Sequence, residues 1–262
     1  MTDSPAGPEP ERVDPATVEP PGSDPAPADQ LPAGVDNGLT WAVGGLAAGL
    51  VLSVVAGSIY LEVMGFDSMD ELSIVDQLVL QVPLWVGLGG APVLASRRAG
   101  TGSLARDFGF VLRRRDLGVG VLSGLGTQLL AVPLIYLILF PLIGDADVSE
   151  EAREVADRAE GAIGAVLLVL IVVLAAPVVE ELFYRGLLMQ AMHLRWGRRA
   201  AFWGSALLFG LTHFQPLQLP ALVAFGLVAG SLFYRTGRLG APVLAHVAFN
   251  GVTVAFLLTD VI

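Results

Sequence analysis

Glu180, Glu181 and Arg185 stand in the stretch VVEELFYRGLL, residues 178–188, directly after the apolar run GAIGAVLLVLIVVLAAP. Two adjacent carboxylates and a guanidinium are costly beside hydrocarbon unless a partner or a cavity receives them. Residues four apart share a helix face, so Glu181 and Arg185 can pair, which leaves Glu180 on an adjacent face. One acid is then a supporting group and the other a working group. Further polar groups recur at the same spacing in FGLTH (Phe209, His213) and HVAFN (His246, Asn250). A carboxylate with an imidazole can move the proton of a water molecule, and amide or imidazole donors can stabilise negative charge that develops during attack.

The elements that hold these residues must live in a bilayer. Hydrophobic residues make up 54% of the 262 and charged residues 15%, and several apolar runs approach the ~20 residues that cross a membrane. The expected fold is all-α, a polytopic transmembrane helical bundle of seven or eight membrane helices with a polar cavity inside the membrane. Spans are predicted near 40–61, 77–95, 117–143, 161–179, 200–214, 217–234 and 240–259. The piece 180–195 either extends the fourth span past Pro177 or forms a helix of its own. Residues 1–38 hold eight acids, one arginine and nine of the 17 prolines. Such a segment cannot bury enough apolar surface to fold, so 1–38 is expected to be a disordered, acidic, Pro-rich tail and 39–262 the transmembrane domain. The tail lacks the positive n-region of a secretory signal, and an uncleaved first span is expected.

There is no cysteine, which excludes disulfides, thiolate nucleophiles and zinc–thiolate sites. There is no lysine either, which removes Schiff-base chemistry and serine–lysine dyads. The all-arginine basic set, with the Ala, Gly and Pro richness, points to a GC-rich bacterial source. The arginines lie in short membrane-flanking groups and give no support for nucleic-acid binding. Six of them fall in 97–116, and Arg195, Arg198, Arg199, Arg235 and Arg238 mark two more turns, whereas 62–76 and 144–160 are acidic. The positive-inside rule then predicts a multi-pass protein of the cell membrane with its N-terminus in the cytoplasm.

With those turns as anchors, Glu180 and His213 both lie about 20 Å from the turn at 195–199, at ~1.5 Å per residue. His246 and Asn250 lie about 12 and 18 Å beyond Arg238 by the same rise. Three distant segments thus deliver a carboxylate, two imidazoles and a carboxamide to neighbouring depths. Taken singly, each has a bland reading: Glu181–Arg185 as a structural ion pair, His213 and Asn250 as helix–helix contacts, Phe209 as packing. His193, beside Trp196, reads as interfacial and is assigned no role. Their convergence favours a site. A proton- or cation-coupled transporter using the same Glu and His residues, or a non-catalytic membrane scaffold, are the alternatives from other classes.

EELFYR (residues 180–185), FGLTH (209–213) and HVAFN (246–250), in that order, resemble the three motifs of the CAAX-prenyl endopeptidase and bacteriocin-processing (CPBP, or Abi) family of intramembrane proteases. The motif-bearing region runs over 161–255. The resemblance implies that Glu180, with His213, activates water for attack on a peptide carbonyl. It implies that His246 and Asn250 stabilise the oxyanion, and that Glu181 and Arg185 organise the surroundings. It also implies a cavity opened toward the cytoplasm, as in eukaryotic relatives, and partners that are a protein or peptide substrate and the lipid bilayer. Members have been described as metal-dependent, and Glu180, His213 and His246 could ligate zinc. No HExxH helix is present, so the metal-free glutamate mechanism is preferred and no cofactor is expected.

Overall fold

The computed structural model describes residues 31–68, 71–144 and 148–259, and every regular element among them is helical. In chain order these are α1 (Gly38–Met64), α2 (Ile74–Ala99), α3 (Leu104–Phe108), α4 (Arg114–Gly126), α5 (Val132–Ile143) and α6 (Glu150–Asp157). They are followed by α7 (Gly161–Leu168), α8 (Ala176–Glu181), α9 (Met189–Leu211), α10 (Leu219–Thr236) and α11 (Gly240–Leu258). Wide turns of the i→i+5 kind, Thr127–Ala131, Val169–Ala175 and Leu182–Leu188, join α4 to α5, α7 to α8 and α8 to α9 without ending the helix.

Among the described residues six helices are long and apolar enough to cross a membrane, and the longest runs over Gly161–Leu211. Pro177 does not break it, because the wide turn before it absorbs the missing N–H and the ring. The break comes at Gly197, whose φ of 82° is open to glycine and strained for other residues. Five unbroken helices and the two limbs of the sixth make seven passes. The piece 180–195 is thereby an extension of the fourth span and not a separate helix. The limb 198–211 is short, about 21 Å at ~1.5 Å per residue.

The arginine-bearing turns gather at one end. The Asp36 N–H donates to Ala99 O and that of Leu239 to Gly109 O. The Arg238 guanidinium pairs with Asp116 at 2.8 Å, and Arg198 lies over the Tyr234 ring. Buried Asp107 ties the segment together by accepting from Ser96 Oγ, Thr101 Oγ1 and the Thr101 N–H. Burial alone pushes its carboxyl up, but these hydrogen bonds outweigh it and hold the group below the usual carboxylate range. Residues 1–30 of the expected tail lie outside the described residues. Residues 31–37 run across this same end, with Val35 buried and the Gly34 N–H on Asp107 O.

Helix contacts rest on small residues, as is usual where lipid removes the hydrophobic drive between helices. A Cβ on Gly87 of α2 would lie 2.4 Å from Gly49 Cα of α1, and one on Gly124 of α4 would lie 2.1 Å from Ala245 O of α11. The second contact matters for the site, because Ala245 precedes His246. The outer surface is apolar: Val51, Val54, Leu130, Leu137 and Ile163 are all exposed, which suits lipid and not water. This is a multi-pass membrane protein.

Candidate active site

The first wide turn of the long helix explains where Asn250 sits. Within it the Ala176 N–H reaches back five residues to Ile171 O. The next donor in that register would be residue 177, and proline has no N–H. The Val172 carbonyl is left for another donor, and Asn250 Nδ2 of α11 takes it at 2.8 Å. One N–H of the carboxamide is thus committed to holding α11 against the long helix. Asn250 also forms part of the cavity wall.

Four residues further along the long helix the charges are arranged in two layers. Glu181 Oε1 accepts from Arg185 Nη1 and from His246 Nδ1, each at 2.9 Å, and both Glu181 and Arg185 are fully buried. Arg185 Nη2 donates to Gly226 O at 3.2 Å, and its guanidinium lies 4.6 Å from the centroid of the Phe209 ring. Phe209 is more than packing. It is fully buried under that cation and touches the rings of both His213 and His246. A desolvated cation over an aromatic face gains about 2 kcal/mol beyond its ion pair.

Glu180 lies in the layer above. His213 donates from Nδ1 to Phe209 O at 2.6 Å, and His246 donates from Nδ1 to Glu181. A carbonyl and a carboxylate can only accept, so the ring hydrogens sit on both Nδ1 atoms and both Nε2 atoms are the working faces. Each Nε2 is 3.9 Å from Glu180 Oε2. The expected Glu181–Arg185 pair and the separately placed Glu180 are therefore present as read, and His213, His246 and Asn250 meet Glu180 across a cavity of about 360 Å³. His193 is elsewhere, hydrogen-bonded through Nδ1 to Tyr234.

The zinc alternative does not fit these residues. Nitrogen and oxygen ligands at ~2.0–2.2 Å in a tetrahedral site stand about 3.3–3.6 Å apart. At 3.9 Å both imidazoles are too far from Glu180 Oε2 for that geometry. Among the described residues no group of three or more His, Asp or Glu side chains is arranged to hold a metal ion. Zinc on Glu180, His213 and His246 is accordingly not supported.

The cavity has a polar wall that was not picked out from the sequence. Gln77 and Gln81 of α2 face it, with Gln215 and Gln218 from the turn between α9 and α10. The readable signal was the spacing of four, which puts Gln77, Gln81 and Trp85 on one face of an otherwise apolar span.

No curated protein and no solved structure matches the chain. A family described as Type II CAAX prenyl endopeptidase Rce1-like does match, over residues 162–252. That segment contains Glu180, Glu181, Arg185, His213, His246 and Asn250, so the part of the chain that carries the candidate site is similar to the CAAX-type intramembrane endopeptidases.

Proposed function

We propose that Glu180 is the general base of a metal-free peptide hydrolysis carried out inside the membrane. The observation that carries this is the meeting of one carboxylate and two imidazole Nε2 atoms, each 3.9 Å away, in a cavity beneath which a second carboxylate is already neutralised. A water molecule about 2.8 Å from both Glu180 Oε2 and His213 Nε2 spans such a gap with good hydrogen bonds. It would give one proton to Glu180 while its oxygen attacks the peptide carbonyl carbon. His213 would accept its second hydrogen and so fix its lone pair.

The carbonyl oxygen gains negative charge in that step. The second N–H of Asn250 is the donor assigned to that charge, with the ring of His246, held in place by Glu181, beside it. A donor so aimed contributes about 10²–10³ in rate. Collapse of the tetrahedral species breaks the C–N bond as the proton on Glu180 passes to the leaving amine, giving an amine and a carboxylic acid, whose remaining proton is lost to water. Glu181 and Arg185 are positioning residues. They touch no reacting atom but clamp His246 and, through Gly226, the α10 backbone.

The substrate class this fits is a membrane-associated or leader-bearing protein. The test is a comparison of peptide termini in membranes of cells producing wild type or Glu180→Gln at matched levels. Termini present with wild type and lost with the variant are the expected result. Identical termini in both, with the protein induced and inserted, would remove Glu180 from a proteolytic role and turn attention to proton transport.

A further inference from the structure

The resemblance led us to expect a cavity opened toward the cytoplasm, and the shape of the molecule argues otherwise. At the arginine end the space beneath Glu180 is filled. Phe183, Phe209, Phe225, Phe233 and Leu187 are all essentially without exposure there, around fully buried Arg185. From Glu180 and His246 the cavity runs the other way, past Asn250 and Gln81, to Ile74, Val155 and Leu257. Those last three stand at the N-terminal end of α2, on α6 and at the C-terminal end of α11, which is the end remote from every arginine turn. Its mouth adjoins an open groove lined by Glu71, Glu154, Asp157 and Glu160 together with Arg158, with Ile74 common to both.

We propose that this cavity opens on the extracytoplasmic side and receives an extended polypeptide strand from there. The first half rests on the charge distribution. Arg97, Arg98, Arg195, Arg198, Arg199, Arg235 and Arg238 all sit at the closed end, and short loops rich in arginine stay in the cytoplasm. The open end is acidic on balance, with Arg153 and Arg158 outnumbered by Glu71, Glu150, Glu154, Asp157 and Glu160, and acidic loops do not oppose translocation.

The second half deepens the proteolytic reading above and rests on it. From Trp85 to Ile74 the wall formed by α2 is about 16 Å long at ~1.5 Å per residue. Gln77 and Gln81 lie along it about 6 Å apart by the same rise, and neither side chain has a hydrogen-bond partner among the described residues. Alternate residues of an extended strand repeat every ~6.6 Å. Two amides at that interval, each with donor and acceptor, match the backbone groups of a strand that enters with about five residues between the mouth and Glu180. The substrate is then a secreted or membrane-anchored protein whose scissile bond lies on the extracytoplasmic side, in a stretch with no stable helix.

The natural chain lacks cysteine, so single cysteines report access directly. Gln77→Cys inside the mouth, and Glu71→Cys on the exposed rim as a second variant tolerant of poor packing, are compared with Arg195→Cys at the closed end. The full-length protein is labelled with a membrane-impermeant maleimide in intact cells and in everted membrane vesicles. The expected result is labelling of the Gln77 and Glu71 variants in intact cells, with Arg195→Cys labelled only in everted vesicles. The reverse pattern overturns the orientation. Termini abolished by Glu180→Gln should lie in extracytoplasmic segments, and their mapping to cytoplasmic segments would overturn the substrate assignment. The labelling needs no turnover, so failure of the proteolytic reading and failure of the orientation give different results.

Discussion

Replacing Arg185 by alanine tests how the floor of the site is held. In the native protein its guanidinium meets Glu181 at 2.9 Å, Gly226 O at 3.2 Å and the Phe209 ring at 4.6 Å, with no exposure of either charged side chain. Removing one partner of a buried pair leaves the other charge uncompensated and costs about 3–5 kcal/mol. For a protein of this size each kcal/mol lowers the melting temperature by about 2–4 °C, so Arg185→Ala should melt about 6–20 °C lower in detergent. His246 also loses the geometry that Glu181 gave it, so turnover should fall in the molecules that remain folded. The double variant Arg185→Met with Glu181→Gln removes both charges, and should recover much of the melting temperature but not the turnover. Wild-type melting for Arg185→Ala, or equal losses in the single and double variants, would refute the buried-pair argument.

Other substitutions separate the remaining roles. Asn250→Ala should lower turnover by about 10²–10³ through loss of the oxyanion donor. It should also destabilise by about 1–3 kcal/mol, because Val172 O loses its only replacement donor; a stable variant with full turnover contradicts both uses of the carboxamide. His193→Ala should leave turnover near wild type, since its ring contacts Tyr234 and not the cavity, and a large loss would mean the site is drawn too small. Asp107→Asn probes the arginine end. Its native carboxyl titrates below the usual range, so its stabilising contribution is fully present above the unfolded value of ~3.9 and disappears as pH falls through the lower native value. The gap in melting temperature between wild type and Asp107→Asn should be constant above about pH 5 and close at lower pH; a gap unchanged by acid would sink that account.

The charged and polar residues of the site were legible because ionisable groups are rare in spans, and a shared depth can be counted from the arginine turns. Glu180, His213 and His246 are of that kind. What was hidden depends on partners that no spacing encodes. Phe209 reads as one more apolar residue until Arg185 is seen above it. Asn250 reads as a donor for the reaction, yet half of its amide serves Val172, and that need arises from Pro177 through a turn whose i→i+5 register is not visible in the one-letter code. The span count was open for a related reason: Pro177 looked like the break and was absorbed, while Gly197 looked innocuous and ends the helix. Zinc remained open because residue types alone allowed it, and the 3.9 Å separations lend it no support.

The limb 198–211 is about 9 Å shorter than a hydrocarbon core ~30 Å thick. It turns back at residues 212–218, where Phe214 is exposed, to enter α10. A short apolar segment is accommodated by drawing the nearby leaflet inward, at a fraction of a kcal/mol per ångström. The bilayer should therefore be dimpled beside this hairpin, on the same side as Gln215 and His213. Such a dimple carries headgroups and water toward the reactive centre, so the enzyme reaches water partly by reshaping its own solvent. Turnover should then respond to lipid chain length, with thick bilayers resisting the dimple and thin ones offering it in advance.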